Sequence, residues 1–299
     1  MSRRHSIDTL LHSLEDIGKI MASMKNLSYM ETRKLARFLD SQSRVVAGID
    51  SAARNFLSHH PHLLRAPRGT GTLVVLIGAE RGFCGNFNEE VLEALDRTGT
   101  APARSPLVAI GTRLAAALGG DPRLVDAVRG ASAAEEVPTV LNRLVQTLSR
   151  VTEERNLPSL LVIHWDAETE AVHEVHLLPP FREGARPAHA YPPRLNLAPE
   201  TFLAALIEHY LFAALHELLY SSLMAEHQQR VRHLSGALER VDGRVRELKQ
   251  RRNLLRQEEI TEEIELMLLN LREPGRPARG NPAPGSPPTN DGFISSSRP

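Results

Sequence analysis

Two stretches without proline bound what this chain can become. The first runs from about Ile7 to Leu57, with no proline before Pro61. The second runs from just after Pro199 to Asn270 and holds only Gly236 and Gly243 as glycines. Proline breaks a helix interior by removing a donor and clashing with the preceding turn, so its absence leaves long helices open. Residue spacing then favours them. Leu10, Leu14, Ile17, Met21 and Met24 recur at alternating intervals of four and three, the seam of a coiled coil, and a looser continuation follows at Leu35, Phe38, Val45, Ile49 and Phe56. In the second stretch Leu211, Leu215, Leu218 and Ser222 share one seam, and Leu234, Leu238, Val241, Val245, Leu248, Arg252 and Leu255 keep the same rhythm. At about 1.5 Å per residue these helices would reach on the order of 75 and 105 Å. Neither can bury its stripe alone, so they are expected to wind around each other, antiparallel because they bracket the rest of the chain.

The bracketed part changes period. "TLVVLIG" and "PLVAIG" are short apolar runs ending in glycine, the pattern of buried parallel strands. "NEEVLEALDR", "RLAAALGG" and "VPTVLNRLVQTLSRVTEER" read as helices, and "SLLVIHW" with "AVHEVHLL" as a strand pair joined by "DAETE". Strands alternating with helices imply an α/β fold with a doubly wound, mostly parallel, Rossmann-like sheet inserted into the coiled coil. The expected division is a helix over 1–60, an α/β foot over 61–198, a second helix over 199–271 and a disordered Pro/Gly/Ser-rich tail over 272–299.

Composition excludes several classes. Net charge is zero and aromatic residues are only 4%, which gives no signal for nucleic-acid binding or a base-stacking platform. Cys84 is the only cysteine, so an internal disulfide or cysteine-based metal cluster is excluded. No apolar stretch is expected to approach the roughly 18–20 residues that span a bilayer, and acids interrupt the segment behind the basic N-terminus, which does not read as a signal peptide.

"GAERGFCGNF", Gly78 to Phe87, follows the first strand, where nucleotides often bind. Its glycines fall at Gly78, Gly82 and Gly85 and miss the dinucleotide G-x-G-x-x-G fingerprint. The α/β region has no lysine for a phosphate loop. None of Tyr29, Tyr191, Tyr210 and Tyr220 has lysine four residues on, as a short-chain dehydrogenase requires. Cys84 has no assignable histidine and acid partners, so the usual small buried cysteine outweighs a nucleophile. His59, His60 and His62 lack acidic company, and the histidines of "HEVH" on a strand point to opposite faces. No catalytic constellation, cofactor site or metal site is expected.

The residues resemble a known family at this point. "ERGFCGNFN" is similar to the "DRGLCGxxN" turn of the γ subunit of rotary F-type ATP synthases. "IGKIMASMKNLSYMETRKLARF" resembles that family's first helix, with Met24 and Lys25 at its Met-Lys pair. "YLFAALHELLYSSLMAEHQQR" resembles the start of its last helix, with Glu226 and Arg230 matching the Glu and Arg of "SEQAARM". "RNLLRQEEITEEIELML" resembles its end, where Arg256, Gln257, Ile260, Thr261, Glu263 and Ile264 fit "RQxxITxEI". The resemblance runs in order over about residues 6–270. The chain departs from the family pattern at "SYMET" and at "ELMLLNLREPG".

The resemblance implies a non-catalytic central-stalk rotor that couples ion flow through a membrane ring to ATP synthesis or hydrolysis in an α3β3 head. Implied partners are the α and β subunits, the ε subunit and the c-ring, with no nucleic acid and no direct membrane insertion. Implied localisation is peripheral, on the cytoplasmic face of a bacterial plasma membrane. Met24, Lys25, Arg252, Arg256, Gln257, Thr261 and Glu263 are the implied head contacts, with Arg256 and Gln257 catching a β-subunit loop in one rotary state and releasing it in the next. From the residues alone, a coiled-coil scaffold or tether with a non-catalytic α/β head remains the competing reading.

Overall fold

The computed structural model describes residues 3–63, 71–98, 104–181 and 194–272. These residues fall into two units, Leu10–Arg246, and Met1–Thr9 together with Glu247–Pro299. The tail expected to be disordered lies outside the described residues, except for Arg272.

The proline-free stretches form the helices α1, Arg3–His59, and α5, Pro199–Arg272, of 57 and 74 residues. Between them come β1 (Thr72–Ile77), α2 (Phe87–Arg97), β2 (Leu107–Ile110), α3 (Thr112–Ala117), β3 (Leu124–Val128), α4 (Val137–Arg155), β4 (Ser159–Asp166) and β5 (Ala171–Leu178). The strands make one sheet in the order β3-β2-β1-β4-β5. β1 to β4 pair in parallel, and β5 returns antiparallel to β4 across the turn that the sequence marks with "DAETE". The sequence reading passes over β3, because Asp126 interrupts its apolar run. An edge strand with one half-exposed face does not need a continuous run, and β3 sits at the edge with a bulge against β2.

In the unit Leu10–Arg246 the sheet separates two apolar cores. On one side Leu73, Val75, Ile77, Val108 and Ile110 meet α4 through Leu141 and Leu144, α1 through Leu35, and α5 through Leu215, Leu219 and Leu223. On the other, Val74, Leu76, Ala109 and Ile163 meet Phe87 and Val91 of α2 and Leu114 of α3. Period-2 alternation of β1 thus loads both faces, as a doubly wound sheet requires. Contrary to expectation, α5 does contain a stretch apolar enough by length and composition to cross a membrane. Leu215, Leu218, Leu219 and Leu223 of that helix are buried in the first core.

The two helices run antiparallel within each unit. In Leu10–Arg246, Phe56 packs on Phe202 at 4.8 Å between ring centroids, Gln42 donates to the Ala213 carbonyl at 3.1 Å, and Phe38 stacks on Tyr220 at 5.4 Å. In the other unit Arg4 pairs with Glu259 at 3.1 Å and Asp8 with Arg252 at 3.5 Å. On α5 the seam is as the spacing predicts, with Leu234 fully buried and Leu238, Val241 and Val245 half-buried. On α1 the expected seam holds at Leu14, Met21 and Met24, all half-buried, and moves by one position from Leu10 and Ile17 to Leu11 and Gly18. Leu10 and Ile17 are 44% and 48% exposed. The inward track is Leu11, Leu14, Gly18, Met21, Lys25, Ser28, Thr32 and Leu35, all buried or half-buried. Small residues on it let the backbones approach, and a Cβ on Gly18 would stand 3.7 Å from a Val241 methyl.

Candidate functional site

The glycine turn after β1 binds its own chain. Glu226, on α5, is 3% exposed and accepts hydrogen bonds from the backbone N–H of Glu80 at 3.1 Å and of Arg81 at 3.3 Å. One turn later Arg230, 4% exposed, pairs with the Glu226 carboxylate and donates through Nε to the Gly82 carbonyl at 3.0 Å. Burial raises the Glu226 pKa, and the Arg230 guanidinium with the two turn amides opposes that rise. Every neighbour of this carboxylate on that side is a donor, so it serves as the acceptor that fixes the turn on the helix.

The Glu80 side chain fills the adjacent crevice, where three loops converge at the carboxyl ends of β1, β2 and β3. It accepts from Thr112 N at 2.9 Å, Thr112 Oγ1 at 2.8 Å and Gly130 N at 2.8 Å. The loops can close this tightly because Gly111 has φ +105 and a Cβ there would meet the Gly78 carbonyl oxygen at 2.6 Å. In a doubly wound fold this is where a nucleotide phosphate would find its amides. Here two carboxylates of the chain itself hold them, which is the physical reason the turn has the form of a nucleotide site without its motif.

Burial keeps two further titratable groups at the turn uncharged. Cys84 is buried, its thiol donates to the Arg81 carbonyl at 3.2 Å, and burial pushes its pKa up to about 11, so it is no nucleophile at neutral pH. His227 is buried beside Arg230, with Nδ1 and Nη1 3.2 Å apart. Burial, and then the Arg230 charge, lower its pKa to about 4, which leaves it neutral and able to accept from the guanidinium. Ser221, also on α5, accepts from Ala167 N at 3.1 Å and donates to Asp166 at 2.9 Å, tying the β4–β5 turn to the same helix.

The residues singled out by resemblance divide between the two units. Arg252, Arg256, Gln257, Thr261 and Glu263 lie on the last turns of α5. Arg252 is half-buried on the seam and engaged by Asp8. Arg256, Gln257, Thr261 and Glu263 are exposed, with the Thr261 hydroxyl bonded back to the Gln257 carbonyl at 2.9 Å. Among them Leu254, Ile260, Ile264, Met267 and Leu268 are exposed as well. Met24 and Lys25 belong to the unit Leu10–Arg246, both half-buried, with Lys25 on the inward track of α1. Sequence reasoning matched Glu226 and Arg230 to a family pattern without a role for them. It missed Glu80, Thr112, Gly130 and Ser221, whose partners lie too far along the chain for any spacing rule to join them.

Comparison with known proteins agrees with this architecture. A family model described as ATP synthase matches residues 4–266. The ATP synthase gamma chain of Symbiobacterium thermophilum is 26% identical over 246 residues, covering 78% of this chain and 80% of that one. A chain from the central stalk and c-ring of the Tetrahymena thermophila mitochondrial ATP synthase is similar with a TM-score of 0.56 at 17% identity, over 73% of this chain and 99% of that one. A chain from the OSCP, F1 and c-ring assembly of the Euglena gracilis mitochondrial ATP synthase gives 0.58 at 14% identity, over 90% and 93%. Over most of its length, then, the chain has the sequence pattern and the helix-bracketed α/β fold of one subunit type, and it belongs to the γ-subunit family of ATP synthases.

Proposed function

We propose that this chain is the central-stalk rotor of an F-type ATP synthase, coupling ion flow through a membrane ring to ATP synthesis or hydrolysis in an α3β3 head, and that it carries no active site of its own. The observation that best supports this reading is the end of α5. All residues from 261 to 269 are exposed, including Ile264, Leu266, Met267, Leu268 and Leu269. A helix end with apolar side chains on every side needs an enclosing partner, and the bore of a hexameric head is such a partner. Arg256, Gln257, Thr261 and Glu263 then face the head directly, with Arg256 offering a planar fork to a carboxylate. Arg252 contributes through the seam, and Met24 with Lys25 from α1. The division into shaft helices over 1–60 and 199–271, a foot over 61–198 and a tail over 272–299 fits this role. The foot would take the ε subunit and the c-ring. The complex would sit peripherally on the cytoplasmic face of a bacterial plasma membrane, with this subunit non-catalytic. Co-expression with the α and β subunits of the same genome tests the reading by native mass and ATPase assay. One copy per head, with sustained hydrolysis only in its presence, is expected; a soluble homodimer that ignores the head would return the chain to the scaffold reading.

A further inference from the structure

We propose that one continuous polar belt across the carboxyl end of the sheet locks α1 and α5 to the α/β domain, and that turning force passes between domain and shaft through it; this rests on the rotor reading above. The belt starts on α1, where Lys34 reaches Glu135 at 2.6 Å and Glu31 accepts from Ala134 N at 3.3 Å. Glu135 and Ala134 lie in the loop between β3 and α4. The loop closes on itself when Ser132 N donates to Glu136 at 2.7 Å. It then crosses to the glycine turn twice. Arg81 Nε donates to Ser132 Oγ at 2.9 Å, and Gly130 N donates to Glu80 at 2.8 Å. The turn in its place is held by Glu226 and Arg230 of α5. Every non-covalent link along this path is a directional hydrogen bond or ion pair.

Direction is what a torque path needs. The apolar contacts of Leu35, Leu215 and Leu219 with the sheet resist separation, but the hydrophobic effect depends on area and not on orientation, so it opposes sliding weakly. Hydrogen bonds weaken steeply with misalignment and fix both register and rotation. The links also differ in kind. The α5 end is buried and fully paired, so breaking it strands a charge in the interior. The Lys34–Glu135 pair on α1 and the Arg81–Ser132 crossing are open to water, while the Glu31–Ala134 link is partly buried. The belt is therefore firmest on α5, and slip under load begins at its exposed links.

The test uses the complete complex in sealed vesicles, comparing wild type with Glu226→Gln and with the pair Arg81→Ala and Lys34→Ala. ATP hydrolysis and ATP-driven ion uptake, by a proton-sensing dye and by radioactive sodium, are measured together against a rising opposing gradient. Native mass verifies that each variant is assembled. The expected result is hydrolysis near the wild-type rate with a loss of ions moved per ATP that grows with the gradient. A merely structural role would lower the melting temperature and leave that ratio unchanged, and an unchanged ratio in the assembled variants overturns the belt. If Glu226→Gln does not assemble, the exposed pair Arg81→Ala and Lys34→Ala, which removes one of the two crossings and one of the two α1 links, is still expected to lower the ratio under load, and an unchanged ratio there overturns the belt. A wild-type chain that joins no head, or moves no ions, overturns the rotor reading itself and the belt with it.

Discussion

At the scale of single residues, the interior of the turn makes a pH-dependence prediction. His227 has a folded-state pKa of about 4 against 6.5 for a free imidazole. Between those values the unfolded chain binds a proton that the folded chain refuses, so stability falls as pH drops through that window. Burial lowers His164 and His216 in the same direction. Up to about 3 kcal/mol is expected from His227 alone at the full shift. Denaturant midpoints at pH 7, 6, 5 and 4.5 should decline, and His227→Gln should flatten the decline; a midpoint independent of pH would contradict the buried neutral imidazole. On the exposed end of α5, Arg256→Ala with Gln257→Ala should lower coupled turnover by about tenfold, the worth of one charge-assisted hydrogen bond, without changing the melt of the α/β domain. Wild-type turnover in the assembled double variant would remove these two residues from the head contact. Which residues matter here was only half legible. Glu226 and Arg230 stand out as an opposed i, i+4 pair in an apolar helix, yet their partners Glu80, Arg81 and Gly82 lie some 146 residues away in sequence.

At the scale of elements, periodicity read α5 correctly and α1 in part, right at Leu14, Met21 and Met24 and one position off at Leu10 and Ile17. The error has a physical source. Counting only apolar residues follows Leu10 and Ile17, whereas the packed track also uses Gly18, Lys25 and Ser28, whose value lies in smallness and in an aliphatic stem. The partner helix decides which of two adjacent stripes is inside, and α1 by itself does not carry that information. The difference is measurable. Val241→Asp places a charge opposite Gly18 in the seam and should cost roughly 1–3 kcal/mol, while Ile17→Asp on the exposed stripe should change stability by less than about 0.5 kcal/mol. Equal effects in thermal and urea melts would sink the observed register. β3 shows the same limit from the other side: Asp126 breaks its apolar run, but its carboxylate accepts from the Ala127 amide at 2.8 Å and is met by Arg150, features that only the assembled edge reveals.

At the scale of the whole molecule, the order of helix, sheet and helix was legible because it rests on long proline-free spans and on glycine-ended apolar runs, signals that survive without tertiary context. What the sheet's crevice holds was not legible, because it depends on three loops meeting. That crevice has a thermodynamic consequence. A ligand tethered to its own site acts at an effective concentration of about millimolar or more, and it cannot diffuse away. Free phosphate or nucleotide would have to displace Glu80 and Glu226 from amides they already satisfy. Thermal melts of the isolated chain in millimolar ATP, ADP or phosphate should therefore superimpose on the melt without them, whereas a ligand bound only by the folded state would raise the midpoint. A head turning over ATP works in changing concentrations of these same molecules. With linkage to them severed, the hold of the rotor's foot on its shaft does not rise and fall with the nucleotide and phosphate that the head consumes and releases.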